Sequence, residues 1–227
     1  MSHNFSYYNG KVNWVLVKIG NIIGISLLFL VSCLPVVTIG AACAALYSTV
    51  HRVIRHDRDT LWSNYWRAFR TYFKKTTIMW LILLVLIVIT AFVWLLTYGA
   101  LRQGNPVGLW NRALIVPILY IAGWMQYLFT YPVRFQNTTW RSMKMASALA
   151  VMNLHWTIVM MILMVIGALS IYLMPLTIAF SPALVCLLDD LMLEKAFRRI
   201  MAPEDLQKEM EREAREKAER WNETVSK

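Results

Sequence analysis

The apolar residues of this sequence lie in long uninterrupted runs instead of alternating with polar ones. The clearest run, 77–98, holds 22 residues without a charged side chain. A helix needs about 20 apolar residues to cross the roughly 30 Å hydrocarbon core of a bilayer. Further apolar runs cover 109–131, 154–174 and 175–193, with Arg112 in the first and Asp189 and Asp190 near the end of the last. The pattern predicts an all-α protein, a polytopic bundle of transmembrane helices.

The first apolar block of the chain is too long for one crossing. Trp14 and Tyr47 carry the amphipathic rings that favour the headgroup level. They are 33 residues apart, which corresponds to roughly 50 Å of helix. Pro35 supplies a break, because proline cannot continue a helix interior. We therefore predict two helices, 12–34 and 38–56, hinged at Pro35.

The position of the hinge at Pro35 and the number of membrane segments around it allow more than one interpretation. A hinge without polar residues favours a position inside the bundle, where protein covers the backbone. Thr38 is a candidate N-cap for the second helix. The alternative to the pair is one tilted span followed by a helix in the membrane interface. The paired interpretation gives six membrane segments in all, and the alternative gives five.

A basic and aromatic pattern occupies residues 60–76. Its large apolar side chains recur at spacings of three and four, the mark of one helical face, at Leu61, Trp62, Tyr65, Trp66, Phe69, Tyr72 and Phe73. The cations hold other positions, Arg67, Arg70, Lys74 and Lys75. A basic helix with an aromatic face lies flat in the headgroup layer, and the same pattern also serves to dock a partner subunit. The candidate interface residues are Trp62, Trp66, Arg67, Phe69, Arg70 and Phe73.

The basic residues predict the orientation in the membrane. Seven Lys and Arg lie in residues 51–76, one in 99–108 and three in 132–153. Short loops rich in Lys and Arg stay on the cytoplasmic side. The first and third of these stretches and the C-terminus are therefore predicted to be cytoplasmic. The formal net charge of +10 has the same origin, which argues against nucleic-acid binding.

The chain changes character close to its C-terminus. From Glu194 onward it holds nine basic and nine acidic residues. Pairs at i,i+4 such as Glu211 with Arg215 support a helix that lacks an apolar stripe. We predict two domains, a transmembrane bundle over 1–200 and a charged cytoplasmic helical tail over 201–227.

The sequence contains no recognisable catalytic motif. Its four histidines and three cysteines have neither the spacing of a metal site nor that of a disulfide framework, so we expect no enzymatic activity, no metal and no cofactor. Asp189 and Asp190 form the one acidic pair near a membrane segment. Such carboxylates are functional candidates because they are costly in lipid. Salt bridges to Arg134, Arg141 or Lys144 are the structural alternative.

Two stretches resemble the YesL-like membrane proteins, found chiefly in Gram-positive bacteria. They are LVSCLPVVTIGAACAALYSTVHRVIR (30–55) and YWRAFRTYFKKTTIMWLI (65–82), and the most specific element is LPVVTIGA at 34–41. The resemblance covers most of the chain before the tail. It implies a bacterial plasma-membrane protein without an established activity, whose relatives accompany ATP-driven carbohydrate importers and polysaccharide-degrading enzymes.

Two functions of different classes remain in view. The first is a non-enzymatic accessory subunit that binds the permease or ATPase subunits of an oligosaccharide ABC importer and tunes its assembly or gating. The second is a stand-alone transporter or channel that uses kinked helices and the Asp189–Asp190 pair. Membrane lipids are expected partners in both cases.

Overall fold

The computed structural model describes residues 2–55, 60–102, 106–135 and 138–198, and in the tail Met210, Glu211, Ala214 and Arg215. All regular structure in these ranges is helical. In chain order the helices are α1 (Ser2–Cys33), α2 (Ile39–Thr49), α3 (Leu61–Arg102), α4 (Trp110–Ala113), α5 (Ile115–Arg134), α6 (Thr139–Met152), α7 (Leu154–Leu173) and α8 (Ser181–Arg198).

Five helical segments are long and apolar enough to cross a membrane: Leu16–Cys33, Val36–Ile54, Leu61–Arg102, Trp110–Arg134 and Leu154–Leu173. This confirms the predicted all-α bundle, and the first apolar block supplies two of the segments. The last predicted segment, 175–193, differs from expectation. It forms a 3₁₀ turn over Pro175–Ala179 and then α8, whose C-terminal half carries Asp189, Asp190 and further charges. Among the described residues, α8 is therefore not a candidate span.

Small side chains place α2 at the centre of the bundle. Its first two turns bury Gly40, Ala41, Ala42, Ala44 and Ala45. Residues of this size let two helix backbones approach closely inside a membrane. A Cβ atom on Gly40 would lie 2.6 Å from the Thr76 carbonyl oxygen and 2.8 Å from the Trp80 Cβ of α3. The glycine therefore permits the contact between α2 and α3.

The hinge lies between α1 and α2, where Pro35 has an extended backbone. The indole of Trp80 donates to the Val36 carbonyl over 2.7 Å, which ties the hinge to α3. The Thr38 hydroxyl donates to the Ser32 carbonyl over 2.6 Å. The predicted N-cap role of Thr38 is therefore wrong, because its side chain serves the end of α1 and makes no cap to α2.

Two further expectations about this block are wrong. The hinge is not inside the bundle, since Leu34 is 80% exposed. Tyr47 is not a membrane anchor, since it is 3% exposed and belongs to the main hydrophobic core. The helix break at Pro35 is nevertheless where the sequence placed it, because proline acts through its own backbone and not through the surroundings.

The basic and aromatic segment is not a separate helix lying flat. It is the beginning of α3, which continues for 42 residues from Leu61 to Arg102. No proline or glycine occurs between Leu61 and Tyr98, so the change from charged to apolar composition does not interrupt the backbone hydrogen bonds.

The structure adds detail to two predicted stretches, the loop 132–153 and the charged tail. The predicted loop 132–153 contains α6, which buries Met143, Ala146 and Leu149 at helical spacing. The charged tail lies mostly outside the described residues. Its four described residues are helical, and Arg215 Nη2 lies 3.9 Å from Glu211 Oε2, at the predicted i,i+4 pair.

Replacing Gly40 with alanine should destabilise the bundle, because the new methyl group has to push α2 away from α3. Overpacking of this kind costs about 1–3 kcal/mol. Gly20→Ala is the matched control, since a Cβ atom there meets nothing within 4 Å and alanine is favoured in a helix by roughly 0.5–1 kcal/mol. Thermal unfolding of the purified protein in detergent checks the pair. An unchanged Gly40→Ala variant would show that the close approach is not required.

Candidate functional site

Four aromatic rings form a continuous ladder along the beginning of α3. This aromatic ladder consists of Trp62, Trp66, Phe69 and Phe73. Successive ring centroids lie 6.2, 5.5 and 5.5 Å apart, and the first two pairs meet edge to face. Aromatic pairs favour this geometry over a face-to-face sandwich. The ladder is therefore an ordered surface feature.

The aromatic ladder is largely exposed. Trp62 is 62% exposed, Phe73 38% and Trp66 37%. The predicted single aromatic face is split, because Tyr65 is fully buried against α2 and Tyr72 donates to the Val133 carbonyl of α5. At about 100° per residue, the ladder lies beside the buried face of α3, not on it.

Cations follow on the far side of the aromatic ladder. Arg67, Arg70 and Lys74 are exposed, and at about 100° per residue they lie on the side of the ladder away from the buried face. The guanidinium carbon of Arg70 lies 5.9 Å from the centroid of the Trp66 ring, within the range of a cation–π contact. The six predicted interface residues thus lie on one stretch of α3. Its aromatic ladder is bordered by the buried face on one side and by the cations on the other.

The Asp189–Asp190 pair faces two different environments. Asp190 is fully buried, and the His51 Nδ1 lies 2.9 Å from Oδ1 and 3.2 Å from Oδ2. On the other side of the imidazole, Arg134 Nη1 lies 3.4 Å from His51 Nε2. Of the three predicted partners of the acidic pair, Arg134 is at this site. Lys144 lies over the Trp140 ring instead.

The His51 imidazole lies between a hydrogen-bond donor and an acceptor. An arginine side chain can only donate hydrogen bonds and an ionised carboxylate can only accept them, so Nε2 faces the donor and Nδ1 faces the acceptor. The imidazole therefore connects Arg134 with Asp190. His51 lies in a π-helical turn, Val50–Arg55, that follows α2. Such turns occur frequently at functional sites, which makes this chain of three side chains a second feature of interest.

Asp189 differs from its neighbour because its Oδ1 is buried and has no hydrogen-bond partner among the described residues. Burial raises the pKa of the Asp189 carboxyl to about 7. The two adjacent carboxyl groups are therefore held in different ways, one by hydrogen bonds and one by exclusion of water.

The contact of His51 with Asp190 was not predicted from the sequence. The two residues are 139 positions apart, and no spacing rule connects them. A signal was present, since an ionisable side chain in an apolar block is costly unless it has a partner. Among the described residues, no three His, Cys, Asp or Glu side chains lie together as metal ligands would.

His51→Leu should destabilise the folded protein by about 3 kcal/mol, because the buried Asp190 carboxylate loses its imidazole donor. His155→Leu is the matched control, since His155 is exposed and surface substitutions usually change stability by no more than about 0.5 kcal/mol. Thermal unfolding of both variants in one detergent measures the difference. Equal melting temperatures for both variants would contradict a stabilising role for the His51–Asp190 pair.

Asp189→Asn should stabilise the protein above neutral pH. The native carboxyl keeps its proton up to its pKa of about 7, whereas in the unfolded chain it ionises near the model value of 3.8. Folded-state stability is therefore lost as the pH rises between these values, by at most about 1.4 kcal/mol per pH unit. The asparagine variant has no such loss, so its advantage in melting temperature should grow from pH 5 to about pH 7 and then level off. An advantage that is independent of pH would disprove this account.

Comparison with known proteins gives one partial match. A family model described as "Protein of unknown function, DUF624" matches residues 22–94. This stretch includes most of the apolar part of α1, all of α2 and most of α3, and it contains both segments on which the YesL-like resemblance is based. No curated protein and no solved structure matches the chain. The protein is thus helical and membrane-embedded, and about a third of its chain is similar to a family of unknown function.

Proposed function

We propose that this protein is a non-enzymatic accessory subunit of a carbohydrate ABC importer in a bacterial plasma membrane. It binds permease or ATPase subunits and tunes the assembly or gating of the importer. The observation that carries the proposal is the exposed aromatic ladder with its bordering cations. The link to carbohydrate import rests on the YesL-like resemblance.

The composition of the aromatic ladder favours a protein partner. Tryptophan, tyrosine and arginine are the residues enriched in binding hot spots. Trp62 and Trp66 expose large rings that are already ordered by their neighbours, so little side-chain entropy is lost when a partner covers them. An exposed apolar patch that is bordered by polar residues is typical of an interaction surface.

The continuity of α3 favours docking over adsorption to the headgroup layer. A helix that lies flat in that layer has to turn away from the spanning helix that follows it. Here the helix passes from the ladder into the charge-free run without a break, and Thr76 Oγ1 bonds to the Tyr72 carbonyl within it. The ladder therefore keeps a fixed orientation relative to the bundle, as a docking element requires.

The C-terminus is cytoplasmic in this proposal, on the same side as the ladder, because the basic segments 51–76 and 132–153 are retained inside. The charged tail then extends into the compartment of the importer's ATPase subunits. Its balanced charge makes it a candidate second contact with a polar protein surface.

The alternative function is a stand-alone transporter. It is favoured by one observation, the chain of Arg134, His51 and Asp190 between two candidate spans and α8, because ionisable groups enclosed by membrane helices often carry protons or ions. Reconstitution into liposomes with a panel of sugars and ions distinguishes the two functions. A flux that Asp190→Asn abolishes would support transport.

The double variant Trp62→Ala, Trp66→Ala should lose the importer subunits. Hot-spot truncations cost about 2 kcal/mol or more each, so at least about tenfold less permease should co-purify in mild detergent from cells grown on the inducing sugar. Trp110→Ala is the matched control, since Trp110 is 69% exposed but belongs to α4. Quantitative mass spectrometry of the co-purifying chains is the measurement.

The melting temperature of the double variant should be nearly unchanged, because Trp62 and Trp66 lie outside the buried face of α3. A protein that purifies from sugar-induced cells as a clean monomer, without transporter subunits, would overturn the proposal.

A further inference from the structure

An apolar groove runs along the surface of the bundle where α5, α6 and α7 meet. It has a volume of about 740 Å³ and is open along one side. Its floor is formed by small or short side chains, Gly123, Ala150 and Thr157. A Cβ atom on Gly123 would lie 2.6 Å from the Thr157 Cγ2, so the glycine lets α5 and α7 approach each other beneath the groove. The walls are aliphatic, as at Ile158 and Ile166.

The length of the groove fits an acyl chain. On α7 the lining extends from Leu154 to Ile166, about 18 Å at 1.5 Å per residue. One leaflet of the hydrocarbon core is about 15 Å thick, so a single acyl chain can lie along the groove.

A polar stripe on α6 leads into the groove. It consists of Trp140, Lys144 and Ser147, which share one helical face with the groove residue Val151 because the four are spaced by four, three and four residues. The ammonium of Lys144 lies 5.4 Å from the centroid of the Trp140 ring. The Ser147 hydroxyl is hydrogen-bonded to the Tyr120 hydroxyl. Val151 and Tyr120 both line the groove.

We propose that the groove and this stripe bind one anionic phospholipid. Lys144 contacts the phosphate, and Trp140 lies at the level of the headgroup, as tryptophan commonly does in membrane proteins. An acyl chain fills the groove and passes the hydroxyls of Ser147 and Tyr120. Because α6 belongs to the basic stretch 132–153, the lipid comes from the cytoplasmic leaflet, where basic pockets between helices hold acidic headgroups.

Native mass spectrometry of the detergent-purified protein tests the acyl-chain part of the site. The protein is incubated with phosphatidylglycerol or with phosphatidylcholine of the same chain length. Ile158→Trp fills the groove and should lower the retention of both lipids at least tenfold. Val159→Trp is the matched control, because Val159 is similarly exposed on α7 but does not line the groove, and it should retain the lipid.

The headgroup part of the site is tested with a second pair of variants. The unmodified chain should retain phosphatidylglycerol about fivefold better than phosphatidylcholine, the contribution expected of one lysine near a membrane surface. Lys144→Gln should abolish this preference while the lipid is still bound. Arg141→Gln, on the same helix but off the stripe, should preserve it.

Three results would overturn the proposal. The first is equal retention of lipid by Ile158→Trp and the unmodified chain. The second is a lack of headgroup preference in the unmodified chain. The third is a lipid-free dimer that Ile158→Trp dissociates, which would assign the groove to a second copy of the protein.

Discussion

The close contact of α2 with α3 is the constraint on which the rest of the bundle depends. Gly40 and the alanines that follow it bury almost the whole surface of α2. With so little side-chain volume, α2 packs against α1, α3, α5 and α8 at once. Lipid tails are as apolar as leucine, so helices gain little from hiding apolar surface and depend on close van der Waals packing. The position of every neighbouring helix follows from this packing.

The polar side chains of α2 and of the π-helical turn after it are hydrogen-bonded inside the bundle. Thr49 returns its hydroxyl to the Ala45 carbonyl within the helix, whereas His51 reaches Asp190 on α8 and Arg134 on α5. A buried carboxylate is tolerated only with such donors. The same contact therefore stabilises the junction of three helices and concentrates ionisable groups there. The contact of His51 with Asp190 and Arg134 therefore stabilises the fold and is also the candidate site of the alternative transport function.

The two proposed binding surfaces use side chains that the core leaves out. The aromatic ladder lies beside the buried face of α3, and the groove opens where Gly123 brings α5 and α7 together. In the two proposals, one surface presents rings and cations to a protein, and the other presents an apolar groove with a cationic end to a lipid. Both proposed sites therefore lie on the outside of the bundle.

The sequence by itself determined the features that depend on local composition. The charge-free run over 77–98 and the break at Pro35 follow from solvation and from proline geometry, so both were predictable. The continuity of α3 across Thr77 is equally local, because no glycine or proline occurs between Leu61 and Tyr98. It was not predicted, because the composition changes from charged to apolar at Thr77.

Only the tertiary structure decided which side chains of a pattern are covered. Tyr65 and Trp66 both belong to the aromatic pattern of residues 60–76, yet α2 covers Tyr65 and leaves Trp66 exposed. His51 and Asp190 meet across 139 residues, and the groove is assembled from three helices. Such features depend on how helices approach one another, and this is set by packing between distant residues and not by the order of residues within each helix.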